Sequence, residues 1–140
     1  MSRNGDRIAA RARALVGVRF RPQGRDPMLG LDCVGTAAAA AGVPPDRIRS
    51  GYAMRGGRLA SIEHELCDLG CRPVHSGVAE AGDIVVCEAG PAQFHILVST
   101  GSGFVHADAG LRMVVERPCP FPWPVAGVWR PAEGGESWRP

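Results

Sequence analysis

Apolar residues fall at helical spacing in the first half of the chain and in short alternating runs in the second. Within residues 5–16, Ile8, Ala12, Leu15 and Val16 lie on one helical stripe with arginines elsewhere, and Gly17 stops the run. Residues 18–31, rich in Gly, Pro and Arg, read as a loop. A second helix is predicted from about Cys33 to Ala41, with Asp32 as N-cap and Gly42, Pro44 and Pro45 as its stop. Residues 46–58 are ambiguous between a turn of helix and a loop. A third helix is expected over 59–69, closed by Gly70.

After Pro73 the period changes to two. Runs at 83–88, 93–99, 104–108, 111–116 and 125–130 are strand-like and separated by Gly- and Pro-containing turns. Helices first and a strand meander after predict an α+β fold, with N-terminal helices packed on an antiparallel sheet of about five strands. Residues 1–130 form one domain on this reading, and Pro131 to Pro140 a loose tail.

One hairpin can be given a register. With Gly101 and Ser102 as a two-residue turn, Thr100 pairs with Gly103, His95 falls opposite Asp108, and Leu97 opposite His106. All four side chains then share one sheet face, with His95 and His106 as diagonal neighbours. Phe94, Ile96, Val98, Val105 and Ala107 share the other, apolar face. A slip of one residue would reverse this, so the reading depends on the turn.

Composition narrows the classes. A chain of 140 residues with 45% hydrophobic content can bury a core. A formal net charge of +2 gives no ground for nucleic-acid binding. No apolar run would cross a membrane, and Met1 to Arg7 leads into a polar, Arg-rich helix, unlike a secretory signal. Synthesis in the cytoplasm is therefore expected. Every basic residue is arginine, so no lysine can act as a base or form a Schiff base. The five cysteines, Cys33, Cys67, Cys71, Cys87 and Cys119, are odd in number and expected to be reduced.

Cys33 is the candidate nucleophile. At the start of a helix, backbone N–H groups and the helix dipole favour its thiolate. A sheet face with two imidazoles could supply a base and the group that orients it. A rival set is His64, Cys67, Cys71 and His75, whose ligand types suit zinc. Gly70 and Pro73 should end the helix before His75, and Cys-x3-Cys is an uncommon zinc spacing. The simpler reading is an amphipathic helix with Leu66 and Cys67 in the core, so no metal or cofactor is expected.

Several short motifs, in order, resemble the NlpC/P60 cysteine peptidases. Leu15-Val16-Gly17-Val18-Arg19-Phe20 followed by Gly30-Leu31-Asp32-Cys33-Val34-Gly35 is similar to that family's Gly-x-x-Tyr stretch and Asp-Cys-x-Gly motif. Ala81-Gly82-Asp83 resembles its Pro-Gly-Asp strand start, Phe94-His95-Ile96-Leu97-Val98 its His-Val-Gly-Ile strand, and Phe104-Val105-His106-Ala107 its Ile-His-Ala strand. The Arg21-Pro22-Gln23-Gly24-Arg25 wording and the signal-less N-terminus look most like the phage-tail or gene-transfer-agent branch.

The resemblance implies a papain-like α+β fold and hydrolysis of peptidoglycan stem peptides, typically next to γ-D-glutamyl. It makes Cys33 the nucleophile, His95 the general base and His106 the orienter. Asp32, Phe20 and Leu97 would border the substrate; Asp32 either caps its helix or meets the substrate amine. The chain departs from the pattern at Phe20 (tyrosine in the family), at Val34 (often serine) and at Leu97, which should narrow the cleft. Two alternatives remain open: a non-catalytic tail component that binds wall peptide, and an amidase or acyltransferase on another acyl substrate. Phage-tail or gene-transfer-agent proteins are the expected partners, and no nucleic acid or membrane.

Overall fold

The structure, a computed structural model, describes residues 3–47, 58–76 and 78–132. Most of the ambiguous 46–58 stretch and of the expected tail lies outside these residues. The elements in chain order are α1 (Arg3–Ala14), β1 (Arg25–Asp26), β2 (Gly30–Leu31), α2 (Cys33–Ala41), a short 3-10 turn (Pro45–Arg47), α3 (Leu59–Asp68), β3 (Arg72–Pro73), β4 (Ile84–Gly90), β5 (Gln93–Ser99), β6 (Gly103–Asp108), β7 (Met113–Pro118) and β8 (Val125–Arg130).

The helices follow their apolar stripes, with two corrections. α1 buries Ile8, Ala9 and Ala12, but it stops at Ala14. Val16 lies past its end and is 45% exposed, because the chain turns to β7, where the Gly17 N–H donates to the Val114 carbonyl at 2.8 Å. α3 buries Ile62 and Leu66, while Cys67, expected in the core, is exposed. Gly70, at φ 88, turns the chain back so that the Cys71 N–H donates to the Leu66 carbonyl at 2.9 Å, and Cys71 is buried in its place. α2 has the predicted bounds. Its stop is Gly42 at φ 80, a left-handed conformation that costs glycine little.

The main sheet is antiparallel with order β3-β8-β4-β5-β6-β7. The strands are therefore not a simple meander: β8 returns to the free edge of β4, and β3 adds a sixth strand two residues long. A second small ribbon, β1 with β2, sits inside the predicted 18–31 loop.

One ion pair fastens the return. Asp83, 1% exposed just before β4, receives Arg130 of β8 through Nε on Oδ1 and Nη2 on Oδ2, both at 2.8 Å. The Glu80 N–H also donates to Asp83 Oδ2 at 2.8 Å. The neighbouring Gly82, at φ 88, packs on the backbone of Gly5 so tightly that a methyl group would collide. Close by in sequence, the Asn4 side chain donates to the Ala132 carbonyl at 3.0 Å.

The two sheet faces bury different clusters. Ile96, Val98, Val105 and Ala107 face the helices, as the hairpin pattern predicts, with Phe94 partly buried against the same core. The opposite face buries Val85, Cys87, Leu97 and Phe104 beneath Phe121 and Trp123.

Breaking the Asp83–Arg130 pair by Asp83→Ala should cost about 3 kcal/mol, because a forked charge loses its buried partner. Urea unfolding of the variant against wild type measures this, and an unchanged midpoint would contradict the fastening role.

Candidate active site

The N-terminus of α2 is fixed from the loop before it. Asp32 takes an extended conformation, and its Oδ1 accepts the Gly35 N–H at 2.8 Å, the expected N-cap bond. The same oxygen accepts Arg25 Nη1 at 2.7 Å, so the β1 ribbon is tied to the cap. A methyl group at Gly35 would run into the Gly24 carbonyl, so this approach of loop to helix requires glycine. Cys33 follows directly as the first helical residue.

The predicted hairpin register is present at the turn. Val98 pairs with Val105 and Ser99 with Phe104, and the Thr100 N–H donates to the Gly103 carbonyl at 2.9 Å. The pairing ends there. Thr100 points its N–H at β6, so the two-residue period directs the Ile96 N–H to the same side. Past the last pair the acceptor of that N–H is the Cys33 sulfur, on the incoming N-terminus of α2.

Where the strands part, the two histidines meet. His95 Nε2 and His106 Nδ1 are 2.8 Å apart, within hydrogen-bond distance, and the rings are nearly perpendicular with centroids 5.0 Å apart. Trp123 stands edge-on to both, at 5.2 Å from His95 and 5.9 Å from His106.

Cys33, His95, His106, Asp32 and Phe20 line one cleft. Leu97, expected to narrow that cleft, is on the histidine face but fully buried in the cluster with Phe104, and is not part of the cleft wall. Among the other wall residues are Asp108, which the sequence offers only as the partner of His95 in the register, and Arg117 and Trp123, to which it gives no site role. The Pro-rich stretch that carries Trp123 has no periodicity to reveal where its ring goes.

Burial sets the charge states. It pushes the Cys33 thiol up to about 11, against the pull of the Ile96 and Val34 N–H groups. The resting thiolate expected from the helix start is therefore corrected: losing water outweighs the donors. Burial likewise pushes His95 down to about 4, helped by its neighbour His106 and opposed by Asp108. His106 is lowered by burial, with Asp108 opposing and Arg117 assisting. Asp108 is itself lowered, first by the Leu111 N–H that it accepts. At neutral pH the cleft holds a thiol and neutral imidazoles.

The remaining cysteines and histidines are arranged otherwise. Cys71 is buried and Cys67 exposed, and His64 bonds Asp68 at 3.3 Å on the surface of α3. Among the described residues no three His, Cys, Asp or Glu side chains gather as a metal-holding group, and no helix is long and apolar enough to cross a membrane. All five cysteines are free.

Two outcomes follow from these charge states. Between the ordinary histidine value of 6.5 and about 4, the unfolded chain binds a proton that folded His95 refuses. Stability therefore falls as pH drops through that window, by roughly 3 kcal/mol for this residue. Urea midpoints taken across the window should decline, and less so in His95→Gln. Alkylation of Cys33 by iodoacetamide should keep rising with pH beyond neutrality; a plateau at mildly acidic pH would contradict a resting thiol.

Sequence comparison finds no matching family model and no matching curated protein. Comparison of folds does find similar structures. NlpC1 from Trichomonas vaginalis superposes with a TM-score of 0.68 at 20% identity, covering 93% of this chain and 45% of that one. The NlpC/p60 domain of peptidoglycan hydrolase SagA gives 0.52 at 22% identity, over 81% of this chain and 88% of that domain. The P60 domain of the M. avium subspecies paratuberculosis antigen MAP1204 gives 0.58 at 16% identity, over 91% and 93%. The chain thus spans about half the length of the Trichomonas protein and nearly all of the two isolated domains. Among the described residues, three α-helices on an antiparallel sheet form the papain-like α+β fold of NlpC/P60 domains.

Proposed function

We propose that this protein is a cysteine peptidase or amidase that cleaves peptidoglycan stem peptides next to a γ-D-glutamyl residue. Cys33 is the nucleophile, His95 the general base and His106 the residue that orients it. The observation that carries the reading is the bonded His95–His106 pair lining the same cleft as a cysteine at a helix N-terminus. Likeness to the domain of a peptidoglycan hydrolase supports the substrate class.

The chemistry follows from which ring nitrogen is occupied. His106 holds His95 Nε2, which leaves Nδ1 to take the thiol proton. Because the resting thiol is protonated, that transfer accompanies attack of sulfur on the scissile carbonyl carbon. The oxyanion meets the Cys33 backbone N–H, which as the first amide of the helix has no intrahelical acceptor. Collapse breaks the C–N bond, and the leaving nitrogen takes the proton from His95. Water then adds to the thioester, giving one proton to His95, and the thiol leaves with it. Phe20 and Asp32 form the wall beside the peptide, Asp32 with Oδ1 already engaged by the cap. Leu97 lies outside the cleft wall and packs with Phe104 in the cluster behind it.

The Arg21–Arg25 wording supports assignment to the phage-tail or gene-transfer-agent branch, with delivery to the wall by a tail-like particle. One observation favours a second reading, a binder of wall peptide that does not cut: Phe20, without a phenolic hydroxyl, lines the cleft where the resembled pattern has a tyrosine.

Digestion of purified cell wall, with products identified by mass spectrometry, separates the two. Wild type should release stem-peptide fragments, and Cys33→Ala should lower the rate by about a thousandfold or more. Equal release by the two would sink the nucleophile assignment, and wall binding without release would favour the binder. Since His95 stays neutral down to about 4, hydrolysis should persist at pH 5 and fail on further acidification.

A further inference from the structure

The histidine pair leaves one buried nitrogen unused. His106 is 2% exposed, and its Nε2 has no hydrogen-bond partner. Asp108 Oδ2 lies 4.0 Å from it, on the same face of β6, two residues along. That carboxylate is already aimed, because its other oxygen, Oδ1, accepts the Leu111 N–H at 3.0 Å. A small side-chain rotation or one bridging water closes the remaining gap.

We propose that Asp108 is a positioning residue for the His95–His106 pair. It holds the proton of His106 on Nε2 and so leaves His106 Nδ1 free to accept from His95.

The proton count makes the argument. For His95 to present a bare Nδ1 to Cys33, its own proton must sit on Nε2 and be donated to His106 Nδ1. His106 must then carry its proton on Nε2, the atom that faces Asp108. Were His106 protonated on Nδ1 instead, it would donate to His95 Nε2 and move the His95 proton to Nδ1, toward the thiol. A base would become a donor. Asp108 also offsets charge when His95 becomes imidazolium. The charged groups near His106 are Asp108 on its own strand and Arg117 from β7. His95 faces it from β5, and Phe104 and Trp123 supply apolar walls. The Arg25–Asp32 pair stands at the α2 end of the same cleft.

The kinetic part of the test rests on the peptidase reading; the spectroscopic part does not. Nitrogen-15 histidine spectra of the full chain report the protonated ring atom directly. In wild type at neutral pH, His106 should be protonated on Nε2 and bare on Nδ1. Asp108→Asn keeps an oxygen for the Leu111 N–H but removes the charge. It should raise the fraction of His106 protonated on Nδ1 and move the His95 and His106 titrations to lower pH. The rate constant kcat for wall-peptide hydrolysis should fall on the order of tenfold with KM unchanged, and Asp108→Glu should recover most of it. Finding His106 protonated on Nδ1 in wild type would overturn the proposal. So would spectra and titrations unchanged by Asp108→Asn, which would point to a water or the substrate as the partner of Nε2. If wild type hydrolyses nothing, the peptidase reading fails while the spectra still decide the role of Asp108.

Discussion

The site depends on where the β5–β6 ladder stops. Two strands joined by a tight turn would ordinarily pair along their whole length, satisfying every inward N–H and carbonyl. Here they pair at two positions and then part, and the start of α2 packs against both strands. The Ile96 N–H, left without a strand partner, is met by the Cys33 sulfur. The same opening lets His95 and His106 turn their rings to each other across strands no longer joined by backbone bonds. Asp32 and Arg25 complete the arrangement by fixing the end of the helix that packs there.

Such an opening has an electrostatic cost. A thiol buried in the core against these strands is shielded from water, and two N–H groups do not replace that hydration. The imidazoles lose hydration in the same way, so both sides of the cleft favour their neutral forms. The resting cleft therefore holds no thiolate–imidazolium ion pair. The negative charge nearest the pair, Asp108, lies behind His106.

Much of this was legible in the chain because it is local. Asp32, the alanine run and Gly42 set the bounds of α2, and Gly101-Ser102 set the register that puts both histidines on one face. What sequence did not reveal depends on distant partners. The return of β8 to β4 is fastened by Asp83 and Arg130, 47 residues apart, and neither residue alone announces the other. Val16 and Cys67 fit helical stripes, yet they lie where the helix has ended or where the packed face has rotated away. Trp123 comes from a stretch without period, so its place against the histidines is set by the fold around it. Leu97 shows the opposite limit: its face was readable, but its depth was not.

The bond from the Asn4 side chain to the Ala132 carbonyl brings the first helix and the segment after the last strand to one spot. A unit whose two ends meet can be spliced into a surface loop of another protein without stretching either side of the insertion. The cleft and the spot where the first helix meets the segment after the last strand are thus built from different parts of the chain.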